Sequence, residues 1–291
     1  MGGKILGVNN IGIDSVYEAL STTISVDNKM GYKFQFSHYF WEMNLLYGLG
    51  ISHSQDSLEL EYVNDGTIYK KNIIAVDEDR FPTLTSYHSH YNKKLPIFLE
   101  NYRRGSLKWY WHKYLEDEKI LYVQLNGIRT IEENPLSEFC DSIESIIKNA
   151  EISALVLDLR NNGGGNTELN VHILKLMMSD EINVLGKSFT VIGCNTFSAA
   201  QNLTTILENY TETIFVGEPT GSKPHFIGEI DPFILPYSGL KISSSNVYHQ
   251  HGYSTDTRIW TAPDVKIDFS FDDYKNGIDP VLEEVKTFLK N

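Results

Sequence analysis

The stretch Cys194-Asn195-Thr196-Phe197-Ser198-Ala199-Ala200-Gln201 lies between an apolar segment and a segment with helical periodicity. Residues 189–192 before it predict a buried strand, and residues 199–207 predict a helix, so Ser198 falls at a strand-to-helix junction. A helix N-terminus offers free backbone N–H groups and the positive end of the helix dipole, both of which stabilise a developing anion. Ser198 is therefore either a nucleophile or, like Thr196, a helix cap, because both residue types often cap helices.

The sequence on either side of this stretch predicts an α/β fold. Residues 154–159 form a continuous apolar run, which is typical of a strand covered on both faces, and Gly163-Gly164-Gly165 follows it. The order strand, glycine turn, helix, strand, serine turn, helix, strand implies parallel strands with crossover helices. Both special turns then lie at the carboxyl ends of neighbouring strands, where α/β proteins place their functional sites.

The N-terminal part has a different pattern. Residues 57–70 alternate apolar and polar side chains around Asp65-Gly66, which predicts a β-hairpin, and residues 38–47 predict a helix. His88 and His90 lie in a polar, irregular segment. Because no acidic or cysteine partner stands at a useful spacing, we interpret this segment as a solvated loop rather than a metal site.

Composition excludes several classes of function. The chain has 291 residues and a net charge of −13, with no cluster of Lys and Arg, which argues against nucleic-acid binding and against anionic membranes. The two cysteines, Cys140 and Cys194, suggest neither a zinc site nor a disulfide framework. No apolar run reaches the length of a membrane span, and the N-terminal residues do not form a signal peptide, so we expect a soluble protein without membrane insertion.

The two turns together suggest acyl-transfer chemistry. Such an enzyme needs a nucleophile, a base and donors for the oxyanion, and a glycine of the triplet can turn its N–H towards a substrate. A glycine-rich turn can also hold phosphate. The run matches neither G-x-G-x-x-G nor a turn that ends in Gly-Lys-Ser/Thr, so nucleotide binding is disfavoured.

An ordered series of motifs resembles the tail-specific, or C-terminal processing, serine peptidases. The resemblance covers roughly residues 105–291, and it rests on Asp158–Gly165, Thr196–Ala200, Val216–Pro224, Leu235–Leu240, Pro263–Val265 and Gly277–Leu282.

The resemblance implies a crotonase/ClpP-like α/β core that cleaves polypeptides without a metal or cofactor. In this family Ser198 would be the nucleophile and Lys223 the general base, with Gly164 and Ala199 N–H groups as the oxyanion hole. The base must lose its proton near neutral pH, which burial among apolar groups favours. Without the resemblance, Lys223 would be an ordinary loop lysine. Members of the family are often extracytoplasmic.

Two departures from the family pattern leave alternatives open. Many members carry a glutamine four positions after the lysine, whereas this chain has Ile227, so His225 or His112 is an alternative base. Residues 3–13 are similar to only the second half of a PDZ module. We therefore predict a truncated PDZ-like α+β domain over residues 1–80, a connecting segment over 81–108 and the peptidase core over 109–291.

Two other functions fit the same fold. One is a catalytically silent protein that binds a peptide or another ligand, which the missing glutamine and the incomplete PDZ-like part favour. The other is an acyl-CoA enzyme of the crotonase type, but such enzymes do not need Ser198 and Lys223 at this spacing. Neither the oligomeric state nor the natural substrate follows from the sequence.

Overall fold

The computed structural model describes residues 3–76, 95–101 and 107–290. In these ranges the helices are α1 (Ile13–Ser21), α2 (Lys29–Tyr39), α3 (Met43–Gly48), α4 (Leu136–Asn149), α5 (Asn170–Met177), α6 (Ala199–Tyr210), α7 (Phe271–Asn276) and α8 (Pro280–Phe288). The strands are β1 (Lys4–Val8), β2 (Ile11–Gly12), β3 (Ser57–Asn64), β4 (Thr67–Ile74), β5 (Tyr110–Leu115), β6 (Ile120–Leu125), β7 (Ala154–Asp158), β8 (Ser188–Ile192), β9 (Ile214–Gly217), β10 (His225–Gly228), β11 (Asp231–Ile234), β12 (Lys241–Ser244), β13 (Val247–Gln250) and β14 (Val265–Lys266). None of the helices in these ranges combines the length with the apolar character that a membrane span requires.

The chain divides into two compact units. The first comprises Met1–Val26, Tyr32–Glu100 and Phe269–Pro280, and the second comprises Asp27–Gly31, Asn101–Asp268 and Val281–Asn291. Each unit thus includes a short segment that lies far from the rest of it in the sequence. Most of the predicted connecting segment, together with His88 and His90, lies outside the described residues.

The first unit contains an antiparallel sheet with the strand order β2-β1-β3-β4. The predicted hairpin is confirmed, because β3 and β4 pair along their whole length around Asp65 and Gly66. These two residues have φ values of 47° and 79°, which a tight hairpin turn requires. The core of this unit is apolar and includes Val8, Val16, Leu20, Leu46 and Leu58.

The helix predicted over residues 38–47 is wrong, because the structure has two helices there, α2 and α3. Glu42 precedes α3 with an extended backbone, φ −79° and ψ 92°, which a continuous helix does not allow. Phe40 is buried while Trp41 beside it is exposed. Burying Phe40 in the core is compatible with a break at this point, which the apolar spacing alone did not reveal.

The second unit contains a six-stranded sheet with the order β14-β9-β8-β7-β6-β5. Strands β6, β7, β8 and β9 pair in parallel, and β5 is antiparallel to β6. The predicted parallel strands with crossover helices are therefore confirmed. The turns after β7 and β8 lie at the same edge of this sheet, as expected for neighbouring parallel strands.

The central strands of this sheet are buried on both faces. Every residue of β6, β7 and β8 is buried. Residues of α4, α5 and α6 pack with Leu121, Val123 and Leu157 in one apolar cluster. Phe189 faces the other side of β8 and contacts Phe288 of α8, with 5.3 Å between the ring centroids. Cover on both faces explains why these strands are largely apolar in sequence instead of alternating apolar and polar residues.

A two-stranded ribbon follows the sheet strand β9. It is formed by β10 with β13 and by β11 with β12, all antiparallel. Its outer half is exposed throughout, and Tyr237 at the tip is fully accessible to solvent. No motif or periodicity in the sequence predicted this ribbon.

The guanidinium of Arg258 binds two carboxylates in the second unit. Its Nη1 and Nη2 donate to the two Glu208 oxygens at 2.7 Å, and its Nε donates to Asp256 Oδ1 at 3.0 Å. Hydrogen bonding to Arg258 is the main cause that lowers the pKa of Asp256. A lowered pKa means that this contact stabilises the fold above the unfolded-state pKa of about 3.9 and that the stabilisation is lost as the pH falls through the folded-state pKa.

We predict that Arg258→Gln destabilises the protein at pH 7 by roughly 1 kcal/mol, a value kept small because the cluster is partly exposed. The deficit should shrink as the pH falls below about 3.9 and through the lowered pKa of Asp256, because the contact with Arg258 weakens once this carboxyl group takes up a proton in the folded wild-type protein. Urea unfolding at a series of pH values measures this difference. Lys266→Gln, which removes an exposed pair with Asp268, is the control and should change little at either pH. A deficit of equal size at pH 3 and pH 7 would contradict the electrostatic explanation.

Candidate active site

Ser198 lies in a sharp turn between β8 and α6. Its backbone angles, φ 53° and ψ −123°, fall outside the regions that non-glycine residues favour. Thr196 fixes this turn, because its Oγ1 donates to the Leu159 carbonyl and accepts the Gly193 N–H, both at 3.0 Å. The turn therefore holds a strained residue at the N-terminus of a helix. Strain of this kind is concentrated at functional sites, including serine nucleophiles on strand-to-helix turns.

The Ser198 side chain does not cap the helix. Ser198 occupies the N-cap position of α6, yet its hydroxyl accepts no capping hydrogen bond, and the side chain is partly exposed. Its backbone carbonyl accepts the Asn202 N–H at 2.9 Å. The Thr196 hydroxyl makes its hydrogen bonds with Leu159 and Gly193 and with no N–H of the helix. The helix-cap interpretation is thus wrong for both side chains.

The glycine turn lies against Ser198. A Cβ atom on Gly164, whose φ is 112°, would lie 2.7 Å from Ser198 Cβ and 3.1 Å from the Ala199 nitrogen. A Cβ on Gly165, at φ 141°, would lie 1.9 Å from the Ile128 carbonyl oxygen. Both positions therefore require glycine, and the close approach brings the two predicted turns into contact.

The two predicted oxyanion donors differ in their hydrogen bonds. Ala199 is the first residue of α6, so its N–H has no acceptor inside the helix. The Gly164 N–H instead donates to Asn162 Oδ1 at 2.9 Å. Asn162 is fully buried, and its Nδ2 has no hydrogen-bond partner in the described part of the chain. Of the two predicted donors, therefore, Gly164 has its N–H engaged by Asn162, whereas the Ala199 N–H has no acceptor within the helix.

A buried ion pair fixes the chain between β7 and the glycine turn. The Asp158 carboxylate is fully buried, accepts a 2.6 Å hydrogen bond from the Tyr122 hydroxyl, and pairs with Arg160 Nη2 at 2.9 Å. The Arg160 N–H and Nε also donate to this carboxylate. A buried carboxylate needs hydrogen-bond and ionic partners. Because Arg160 supplies them from two residues further on, these contacts set the direction in which the chain leaves β7.

The loop that carries Lys223 is hydrogen-bonded to the serine turn. The Gly221 N–H donates to the Thr196 carbonyl at 3.2 Å, and a Cβ on Gly221 would lie 2.2 Å from the Cys194 carbonyl oxygen. The buried Ser222 hydroxyl donates to Asp27 Oδ2 at 3.0 Å. These contacts hold the segment just before Lys223 against the turn of Ser198.

Lys223 itself is partly buried. Across the residues that the structure describes, its ammonium group makes no ion pair or hydrogen bond, and none joins it to the Ser198 hydroxyl. The two predicted partners therefore lie on adjoining loops, and their side chains are not engaged with each other.

Neither alternative base is hydrogen-bonded to the Ser198 hydroxyl in the described part of the chain. His112 is on β5, which β6 and β7 separate from β8, so about 14 Å of sheet lies between the two strands. Its ring packs near Phe139 of α4, and burial lowers its pKa. His225 begins β10. Its buried Nε2 faces Gly252, which lies against Thr205 in the second turn of α6, and it has no hydrogen-bond partner among the described residues.

His225 belongs to a group of histidines on the ribbon. Burial lowers the pKa of His251, and the nearby His249 and His225 lower it further. No set of three or more His, Cys, Asp or Glu side chains in the described ranges is arranged to hold a metal ion.

Sequence reasoning missed Asp27 and Asn28, which anchor the lysine loop from almost two hundred residues away. Asn28 Nδ2 donates to the carbonyls of Thr220 and Ile259, at 3.2 Å and 2.7 Å, and its Oδ1 accepts the Met30 N–H at 2.9 Å. No motif or periodicity marks these residues. Contacts over such a separation become visible only in the folded chain.

Comparison with protein families gives one match. The model described as peptidase family S41 matches residues 119–188. This segment runs from the residue before β6 to the first residue of β8, so it includes the glycine turn and ends before Ser198 and Lys223. No curated protein matches the chain.

Solved structures share the fold. Mature CPAF in complex with lactacystin has a TM-score of 0.61 at 13% sequence identity, and the match covers 100% of this chain and 78% of that one. Mature CPAF has a TM-score of 0.55 at 14% identity with the same coverage. At these identities the likeness shows the fold alone.

The family match confirms the resemblance to the tail-specific, or C-terminal processing, peptidases that the motifs indicated. It supports a serine-type peptidase, which is a hydrolase.

Proposed function

We propose that this protein is a serine endopeptidase that cleaves polypeptides through an acyl-enzyme on Ser198, with Lys223 as the general base. The observation that carries the proposal is the Ser198 turn. Its strained backbone places the Ser198 hydroxyl at the N-terminus of α6, and this hydroxyl forms no capping hydrogen bond with the helix. The same turn contacts the glycine turn and the lysine loop. Three adjoining loops thus supply a nucleophile, donors for an oxyanion and a base.

The proposed reaction proceeds in two stages. The Ser198 oxygen attacks the carbonyl carbon of the scissile bond, and its proton passes to the neutral amine of Lys223. The C–N bond then breaks, and the leaving amine takes that proton from Lys223. Water attacks the resulting ester with the same amine as base, which releases the carboxyl product and restores the serine hydroxyl.

The oxyanion requires two donors in this scheme. The Ala199 N–H supplies the first, supported by the dipole of α6. The Gly164 N–H supplies the second after it exchanges Asn162 Oδ1 for the substrate oxygen. A substrate oxyanion is a stronger acceptor than a neutral amide oxygen, which favours this exchange.

Lys223 is better supported as the base than either histidine. Its loop is hydrogen-bonded to the Ser198 turn through Gly221 and Thr196. His112 is on the far side of two strands, and His225 faces Gly252. Lys223 also has no competing ionic partner in the described part of the chain, so its amine can turn towards the serine.

The family resemblance supports two finer assignments as part of the proposal. The second unit is interpreted as a crotonase/ClpP-like core, and the four-stranded antiparallel sheet of the first unit as a truncated PDZ-like part. The predicted boundaries, residues 1–80, 81–108 and 109–291, belong to the same interpretation. The proposed substrate is a polypeptide.

We predict that Lys223→Met lowers kcat/KM for an unfolded polypeptide by about 10²–10⁴-fold, which is the usual contribution of a general base. Methionine keeps the apolar stem and removes the amine, so the melting temperature should change little. Hydrolysis of reduced, alkylated casein measures the rate. The matched control is Lys241→Met on the ribbon, which should retain wild-type activity. Full activity in Lys223→Met, with loss in His225→Gln, would move the base to His225.

A silent binding protein remains the second candidate. It is favoured by the engaged Gly164 N–H and by the absence of a hydrogen bond between Ser198 and Lys223. Incubation with a small fluorophosphonate followed by peptide mass spectrometry separates the two functions. A phosphonyl group on Ser198 supports the peptidase. An unlabelled Ser198 in protein that binds casein without cleaving it supports the binding function.

A further inference from the structure

Phe197 is an exposed aromatic residue directly before the proposed nucleophile. It keeps 42% of its surface accessible to solvent although its backbone is held firmly. Its N–H donates to the Asn162 carbonyl and its carbonyl accepts the Ala200 N–H, both at 3.1 Å. The turn that positions the Ser198 hydroxyl therefore also positions the Phe197 ring.

The ring of Phe197 is supported from the ribbon. Its centroid lies 6.1 Å from the ring centroid of Phe226, and the two ring planes form an angle of 34°. Phe226 is buried and stacks on His249, its cross-strand partner on β13, with 4.9 Å between the centroids and 19° between the planes. Gly228 permits this packing, because a Cβ there would lie 2.9 Å from the His249 ring.

The His249 ring also lies near an exposed carboxylate. His249 Nε2 lies 3.5 Å from Glu229 Oε1. Phe197, Phe226 and His249 thus form a row of three rings, of which Phe197 stands next to Ser198 and remains open to solvent. We refer to these three residues as the aromatic row.

We propose that the aromatic row forms one wall of an apolar subsite, in which Phe197 binds an apolar side chain of the substrate next to the scissile bond. The proposal rests on the peptidase function proposed above and names its substrate preference. The Cα atoms of Phe197 and Ser198 are about 3.8 Å apart, as in any trans peptide, so the substrate residues that flank the attacked carbonyl are the ones nearest to Phe197.

The hydrophobic effect gives the direction of the preference. A leucine side chain that covers Phe197 removes apolar surface of both partners from water, whereas a serine at the same place removes much less. Differences of this kind in an apolar subsite discriminate substrates by about 10–200-fold. We expect the wild-type protein to prefer leucine over serine at one of the two flanking positions by at least about 10-fold.

The test uses four peptides that are identical except at the two residues flanking the scissile bond. Each of these two positions carries either leucine or serine, in all four combinations. We measure kcat/KM of the wild-type protein, Phe197→Ala, Phe197→Leu and the control Tyr210→Ala, which removes an exposed ring at the other end of α6. Phe197→Ala should reduce the leucine preference to about twofold or less, while Phe197→Leu should keep most of it and Tyr210→Ala all of it. An unchanged preference in Phe197→Ala would overturn the proposal.

Labelling of Ser198 by a small fluorophosphonate separates this result from failure of the proposed function. Labelling at the wild-type rate in Phe197→Ala, together with a lost leucine preference, supports a role in specificity alone. Labelling with an unchanged preference overturns the subsite and leaves the peptidase intact. Absence of both labelling and hydrolysis in the wild-type protein overturns both proposals.

Discussion

Replacing Ser198 with alanine is expected to abolish hydrolysis of unfolded polypeptides, with a loss of about 10⁴-fold or more. The substitution removes the oxygen that attacks the scissile carbonyl and on which the proposed acyl-enzyme forms. Because the Ser198 hydroxyl makes no capping hydrogen bond, its loss should leave the free energy of unfolding within about 0.5 kcal/mol of wild type. Casein hydrolysis and thermal melting measure the two effects.

Two further variants complete this test. Ser243→Ala on the exposed strand β12 is the matched control and should retain full activity. Ser198→Gly should be as inactive as the alanine variant but more stable, by about 1 kcal/mol or more, since glycine relieves the cost of φ 53°. Residual hydrolysis by pure Ser198→Ala above about 1% of wild type would reject Ser198 as the nucleophile.

Gly165→Ala is expected to have the largest effect on folding. Its Cβ would lie 1.9 Å from the Ile128 carbonyl oxygen, a backbone atom that also accepts the Asn166 N–H at 2.7 Å. Alanine is in addition strained at φ 141°. We expect a destabilisation of about 3 kcal/mol or more, which corresponds to a fall in melting temperature of roughly 6–12 °C. Activity should fall as well, because the turn contacts Ser198.

Gly163→Ala provides the matched control for this prediction. Its φ is not in the left-handed region, and a Cβ there meets only Asn195 Oδ1, at an ordinary contact distance of 3.5 Å. The three adjacent glycines should therefore differ sharply, with Gly163 tolerant and Gly165 intolerant of a methyl group. Equal losses of stability in both variants would contradict the steric explanation.

Periodic patterns predicted the α/β part of the fold well. The run of residues 154–159, apolar except for Asp158, identified a strand buried on both faces, and Asp65-Gly66 identified the hairpin. These predictions succeed because the cause is local, either an alternation of side chains or a backbone angle that few residues adopt. The break between α2 and α3 and the ribbon after β9 depend on packing with distant residues, so their sequence signals are weak.

The candidate site was predicted in part. The motifs marked Ser198, Gly164, Ala199 and Lys223, and the folded chain brings the first three into contact. The sequence did not indicate that Asn162 holds the Gly164 N–H, nor that Asp27 and Asn28 anchor the lysine loop. Hydrogen bonds of this kind depend on the spacing of loops that parallel strands bring together.

The sequence by itself determined the order of strands and helices, and with it the two turns at one edge of a parallel sheet. It also determined which residue types stand in those turns, and the resemblance to a peptidase family followed from them. Only the tertiary structure decided that the Ser198 backbone is strained and that its hydroxyl caps no helix N–H. It also decided that His112 lies several strands away from Ser198 and that the Phe197 ring lies beside Phe226 in the aromatic row. The physical reason is that residue type and periodicity are properties of the local chain, whereas strain, distance and burial are set by segments that meet only on folding.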